Sequence, residues 1–213
     1  NRKYPHDTEQ QVIALGRRFT AIQADLSQQA SYDALVQEAV NRMGRIDILV
    51  NNAGTIRRAD ALEFSEQDWD DVINLNLKAT FFLCQAVARQ FIAQGGGGKI
   101  INIASMLSFQ GGIRVPSYTA SKSGVLGLTR LLANEWAPHG INVNAVAPGY
   151  MATNNTQQLR EDAQRNDEII NRIPAARWGT PDDLKGPAVF LASSASDYVN
   201  GYTLAVDGGW LAR

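Results

Sequence analysis

A single cysteine, two histidines, no basic block and no apolar run of membrane-spanning length set the first limits on this chain. Cys84 has no partner for an intrachain disulfide, so a reducing compartment fits, and a cytoplasmic location is expected. It sits in the run Phe81-Phe82-Leu83-Cys84, which reads as core packing rather than a reactive thiol. His139 follows a proline near a helix end and His6 lies near the N-terminus. Neither has metal-ligand spacing, so no metal is expected. A net charge of -1, with acids and bases scattered, argues against nucleic acid as a partner. The N-terminus lacks the apolar stretch of a signal peptide, and nothing resembles a membrane span, so no membrane partner is expected. With 45% hydrophobic and 19% charged residues, the composition excludes a disordered chain and suits a globular protein, read as one domain over 1–213.

Strand-like and helix-like segments alternate along the sequence. Asp7 to Leu15 reads as a helix with Asp7 or Thr8 as N-cap and Gly16 as its stop. Phe19–Ile22 reads as a short strand, Ser31–Met43 as a helix ending at Gly44, and Ile46–Val50 as a strand. Ser65 opens a long helix through Phe91, and Gly95 to Gly98 make a hinge. Lys99–Ala104 is a buried strand, Ser117–Trp136 a long helix, and Ile141–Ala147 another strand. Helical stretches near 156–172 and 181–193 precede a last strand, Thr203–Val206. Continuous apolar strands joined through helices predict an α/β, doubly wound parallel sheet, with ligands beyond the strands' carboxyl ends.

The residues at those ends are polar, small or glycine. They are Asp25-Leu26, Asn51-Asn52-Ala53-Gly54, Ser105, and Pro148-Gly149-Tyr150-Met151-Ala152-Thr153. Tyr118 and Lys122, four apart in one helix, share a face. A free phenol, with pKa about 10, is a poor acid or base at neutral pH. A neighbouring ammonium is expected to lower that value and let Tyr118 exchange a proton with a carbonyl or hydroxyl oxygen. Ser105 could hydrogen-bond the same oxygen. This is equipment for interconverting a ketone and an alcohol, with hydride passing to or from a cofactor.

Asn51-Asn52-Ala53-Gly54, Ser105 thirteen residues before Tyr118, Tyr-x-x-x-Lys and Pro148-Gly149 together resemble the short-chain dehydrogenase/reductase family. The resemblance implies a Rossmann-type fold and roles for particular residues. Tyr118 would be the acid/base, Lys122 would tune it and hold the nicotinamide ribose, and Ser105 would place the substrate oxygen. Asn76 matches an asparagine of the family's proton relay. Cofactor contacts are implied for Asp25 and Leu26 at the adenine, for Asn52, Ala53 and Gly54 along the cofactor, for Pro148, Gly149 and Met151, and for Thr153 at the carboxamide. A homotetramer built through the helices containing Tyr118 and Ala79–Phe91 is also implied.

Within the family the likeness is to the enzymes of sugar acids, carried by Ile56-Arg57-Arg58, Ser105 to Arg114 and Met151 to Thr156. A carboxylate-bearing deoxy sugar acid needs a charge-assisted grip, which Arg57, Arg58 and Arg114 could supply, with Gln110 beside the substrate. Replacing Arg114 or Arg57 is expected to raise KM for a sugar acid.

Relative to the family, the sequence lacks the opening strand, the Gly-x-x-x-Gly-x-Gly turn, the first helix and the second strand. The first β-α-β unit is therefore expected to precede Asn1 in a longer protein, with a true truncation as the alternative, and its two strands belong between Phe19–Ile22 and Ile46–Val50 in the order 3-2-1-4-5-6. Arg2 and Lys3 lean toward NADP and the sugar-acid likeness implies NAD; NAD is taken as the cofactor, with NADP open. Two other readings stand beside the leading one. One is a 3-oxoacyl carrier-protein reductase, and the other is a catalytically silent member that retains only the assembly surfaces.

Overall fold

A computed structural model describes residues 5–28 and 32–213. Arg2, Lys3 and the start of the helix expected at Ser31 lie outside the described residues. Helix α1 (His6–Ala14) begins one residue earlier than expected. Pro5, not Asp7 or Thr8, is its N-cap, and no side chain caps it. Gly16 follows at φ 68, the left-handed stop that a glycine supplies at no steric cost. Helix α2 (Tyr32–Met43) ends at Gly44, with φ 96, as its apolar stripe predicts.

Phe19–Ile22 is not a strand. A strand exists only through its ladder, and among the described residues none lies beside this segment. Among the described residues the sheet has four parallel strands in the order β1 (Ile48–Asn51), β2 (Gly98–Ile103), β3 (Ile141–Pro148) and β4 (Thr203–Val206). Strand β1 forms one edge, and Ile48 and Val50 stay 44% and 49% exposed along it.

The registers Ile100↔Val143 and Ile101↔Asn144 set the two faces of the sheet. Ile100 and Val143 pack with Val87 and Phe91 of helix α4 (Ala79–Gln94) and Leu132 of helix α5 (Pro116–Trp136). Ile101 and Val146 face the other way, onto Leu191 of helix α8 (Lys185–Ala192). Helices thus cover both faces, as the lack of clean alternation in the strands requires.

The long helix expected from Ser65 to Phe91 is divided. Ser65 caps helix α3 (Glu66–Ile73) by accepting from the Asp68 N–H at 3.1 Å. A π-helical turn, Asn74–Lys78, then interrupts the α-helical bonding before α4. Apolar periodicity cannot reveal one residue's worth of extra winding, because the stripe continues through it. Helices α6 (Gln157–Glu161) and α7 (Ala163–Arg172) fill the stretch after β3, with Asp162 capping α7.

Candidate active site

Strand β2 delivers Ser105 to the crest of the sheet, where a short 3-10 turn begins. The Leu107 N–H donates to Ser105 Oγ at 3.2 Å. Ser108 Oγ donates to the Lys122 carbonyl at 2.7 Å, tying this turn to α5. Tyr118 lies half-buried in the first turns of α5, with Ser105 close enough to its phenol to influence its acidity. Ser105, Tyr118 and Lys122 are therefore brought together as the spacing predicted.

The electrostatics differ from the expectation. Burial raises the Tyr118 phenol above its ordinary value, opposed by the Ser105 hydrogen bond and the positive charge of Arg58. Lys122 is not among these causes. Its Nζ donates to the Ile103 carbonyl at 2.6 Å and stands 5.7 Å from the Tyr118 ring centroid. Burial lowers the Lys122 ammonium to about 8. The expectation that Lys122 lowers the Tyr118 value is thus replaced: in this structure Arg58 and Ser105 do so, against desolvation.

Asn76 stands in the π turn, 1% exposed. Its Oδ1 accepts from the Thr55 N–H at 2.8 Å, and its Nδ2 donates to the Thr55 carbonyl at 2.9 Å and Ser121 Oγ at 3.3 Å. The side chain binds the loop after β1 to α5, so here it is a positioning residue. A π turn re-aims one side chain in an otherwise regular helix, and such turns gather at functional sites.

In that loop Asn52 and Ala53 are exposed, while Gly54 faces the site. A Cβ on Gly54 would lie 3.3 Å from Asn76 Oδ1 and 4.0 Å from Lys122 Nζ. The loop's bare backbone and the room kept open beside Lys122 fit a dinucleotide lying along it. Gly149, after Pro148, is equally constrained, since a Cβ there would come within 2.6 Å of Asp207 Cα. Met151 is buried and bridges to Gly179, and Thr153 caps the turn Asn154–Thr156. Asp25 accepts from the Ser27 N–H and hydroxyl at 3.0 and 2.6 Å, which lowers its carboxyl. The Leu26 carbonyl accepts from the Tyr32 hydroxyl at 2.9 Å, fixing that turn.

The substrate candidates separate. Arg57 is held by Asp68 and Asp71 of α3 at 3.2 and 3.0 Å. Arg114, at φ 62, pairs with Asp60 at 3.2 Å, and its carbonyl accepts from the Ala59 N–H. Arg58 alone of the three has no ion pair among the described residues. It donates to the Asn155 carbonyl at 3.2 Å, across the cleft between the loops after β1 and β3. Gln110 lines a different space, a cavity of about 630 Å³ shared with Arg130, Tyr202 and Arg213, whose walls do not include Ser105 or Tyr118.

Sequence reading missed Asn102 and Thr129, which pack beneath the site. The signal was present as a polar residue inside the buried strand Lys99-Ile100-Ile101-Asn102-Ile103.

A family model described as enoyl-(acyl carrier protein) reductase matches residues 1–211. The 2-dehydro-3-deoxy-D-gluconate 5-dehydrogenase of Escherichia coli K12 is 74% identical over 209 residues, covering 98% of this chain and 83% of that protein. The protein of the same description from Dickeya dadantii is 73% identical over 209 residues, with the same coverage. A crystal structure from Agrobacterium tumefaciens with bound NADP is 57% identical, covers 100% of this chain and 84% of that one, and superposes with a TM-score of 0.92. With the Ser105, Tyr118 and Lys122 geometry they accompany, these likenesses place the chain in the short-chain dehydrogenase/reductase family.

Proposed function

We propose that residues 1–213 form one catalytic unit that interconverts a secondary alcohol and a ketone on a deoxy sugar acid, using a nicotinamide dinucleotide. The observation that carries this reading is the placement of Ser105, at the crest of β2, beside the Tyr118 phenol, with Lys122 buried one turn further along α5 and its Nζ 5.7 Å from the Tyr118 ring centroid. The two relatives of about three-quarters identity carry the name of a sugar-acid dehydrogenase, and the Agrobacterium tumefaciens neighbour holds NADP.

When bound, the dinucleotide supplies or accepts the hydride. Asn52, Ala53 and Gly54 would line its path, with Thr153 and the backbone of Gly149 and Met151 on the opposite crest. Asp25 and Leu26 would face the adenine end. Ser105 holds the substrate oxygen. Tyr118 gives that oxygen a proton during reduction and takes one during oxidation. Lys122 carries donors toward the ribose hydroxyls, and the Ile103 carbonyl holds its Nζ in place. Arg58, with guanidinium N–H groups left over from Asn155, receives the substrate carboxylate.

The test is turnover of 2-dehydro-3-deoxy-D-gluconate and 2-deoxy-D-gluconate with NAD and NADP, in both directions. Turnover in wild type and loss of nearly all of it in Tyr118→Phe supports the reading, and equal rates in the two proteins end it. A 3-oxoacyl carrier-protein substrate belongs in the same panel, because the matching family model is described by a carrier-protein reductase. Preference for it over the sugar acid would reassign the substrate and keep the mechanism. The finer readings are a homotetramer in a reducing, cytoplasmic setting, supported by the single buried Cys84 and by exposed apolar side chains on α4, α5 and α8.

A further inference from the structure

Beneath the crest the chain buries a second polar cluster. Asn102 in β2, 0% exposed, accepts from Asn51 Nδ2 at 2.9 Å through its Oδ1 and donates from Nδ2 to Thr129 Oγ1 at 3.1 Å. Asn51 Nδ2 also reaches Cys84 Sγ at 3.1 Å, and the Thr129 hydroxyl donates to the Val125 carbonyl at 2.8 Å. The apolar cluster around Cys84 includes Val87, Leu132 and Val143. Burying amides there is costly unless they are paired, and apolar side chains of similar size would fill the space with no such requirement.

The placement of the cluster gives it a use. Asn51 is the last residue of β1, immediately before Asn52–Gly54. Asn102 is its register partner in β2 and stands three residues ahead of Ser105. Thr129 follows Lys122 by seven residues, on the same face of α5. One planar amide thus touches the three elements that carry the cofactor-side loop, Ser105, and the Tyr118–Lys122 pair. Apolar packing has no direction and permits small slides between elements, whereas two hydrogen bonds from one amide fix both distance and direction.

We propose that Asn102 is a positioning residue, which through Asn51 and Thr129 holds the β1 crest, Ser105 and the Tyr118 helix in one register. It touches no reacting atom, and its role rests on the functional reading of Ser105 and Tyr118 above. A catalytic group misplaced by about 1 Å loses about a hundredfold in rate, which sets the size of the effect.

The experiment is the double variant Asn102→Leu with Thr129→Val, which removes both polar partners together and leaves Asn51 its contact with Cys84. The expected result is a Tm within about 4 °C of wild type, kcat lower by about a hundredfold, and an unshifted pH profile. Thr129→Ser, which keeps the hydroxyl, should retain wild-type kcat. Wild-type kcat in the folded double variant overturns the proposal. If the double variant does not fold, Thr129→Val alone decides, with a kcat loss of about tenfold expected for one lost bond and wild-type kcat overturning it. If wild type turns over no sugar acid, the functional reading has failed independently. NADPH binding then tests Asn102, with Kd expected to rise about tenfold in Thr129→Val and an unchanged Kd overturning the role.

Discussion

Tyr118 and Lys122 lie one helical turn apart, and burial pushes both toward their neutral forms, the phenol upward and the ammonium down to about 8. Oxidation of an alcohol needs the phenolate to take a proton, so its rate should climb as pH rises above neutrality, while reduction should fall. A flat oxidation profile from pH 7 to 10 would show that Tyr118 is not the base. Lys122 also leaves a signature in stability. Its folded value lies below the unfolded 10.5, so the unfolded chain binds more protons between about 8 and 10.5, and stability rises with pH across that window. The cost of burying the charge is fully present below pH 8 and is relieved on the alkaline side. Urea unfolding of wild type relative to Lys122→Met should show this relief, up to about 3 kcal/mol. The Cys84 thiol, pushed up to about 12 by burial, works in the opposite direction above pH 9, but it is common to both proteins and cancels. Among the arginines, Arg58→Gln should raise KM for the sugar acid about ten- to a hundredfold, the worth of a charge-assisted hydrogen bond. The same change removes a charge that lowers the Tyr118 value, so the alkaline limb should move to higher pH. Arg57→Gln and Arg114→Gln, each taken from an existing carboxylate pair, should leave KM within about threefold of wild type, since exposed pairs contribute little.

The elements carry the site because two places admit no slack. Gly149→Ala would force a Cβ to within 2.6 Å of the Asp207 backbone, so the crest after β3 must shift away from β4. A cost of about 1–3 kcal/mol is expected for such overpacking, read as a Tm lower by about 2–10 °C together with weaker dinucleotide binding. An unchanged Tm would mean that the crest adapts freely. Asn76→Leu should loosen the loop after β1 in a comparable way, since Thr55 would lose both of its partners on that side chain. Much of this was legible in the sequence. The spans of α5, β3 and β4, the crest residues, and Ser105, Tyr118 and Lys122 all followed from apolar runs and motif spacing. The missing parts share a physical cause. The π turn around Asn76 is hidden because the apolar stripe runs on through it, and the pairing of Arg57 with α3 and the Asn51–Asn102–Thr129 bonds join polar side chains that only the fold brings together. Periodicity reports only which face of an element is apolar. Phe19–Ile22 erred for a related reason, because strand propensity in a segment does not supply the neighbouring strand that makes it one.

On the scale of the whole molecule, several exposed apolar side chains fall on helices α4, α5 and α8 and beside β4. Val189 and Phe190 of α8 are 67% and 37% exposed, and Tyr202, at the start of β4, is 59% exposed. Ile92 of α4 and Leu131 of α5 are about half exposed on the helices expected to join subunits. Exposed apolar side chains that lie together can mark surfaces that another protein covers. The proposed homotetramer would need two such surfaces, for which α4 with α5 and α8 with β4 are the candidates, whereas a dimer needs one. The C-terminal segment does not compete for either surface by swinging free, because Arg213 caps α7 through the Asn171 and Arg172 carbonyls and Trp210 is buried. Sedimentation at micromolar concentration should therefore give a tetramer. Leu131→Glu and Val189→Glu, which place a charge on one surface each, should separately yield dimers, and together a monomer with lowered kcat. Because Leu131 shares helix α5 with Tyr118 and Lys122, the proposed site residues, the Leu131→Glu dimer should lose more activity than the Val189→Glu dimer. A wild-type monomer, or single variants that remain tetrameric, would show that these patches serve some other contact.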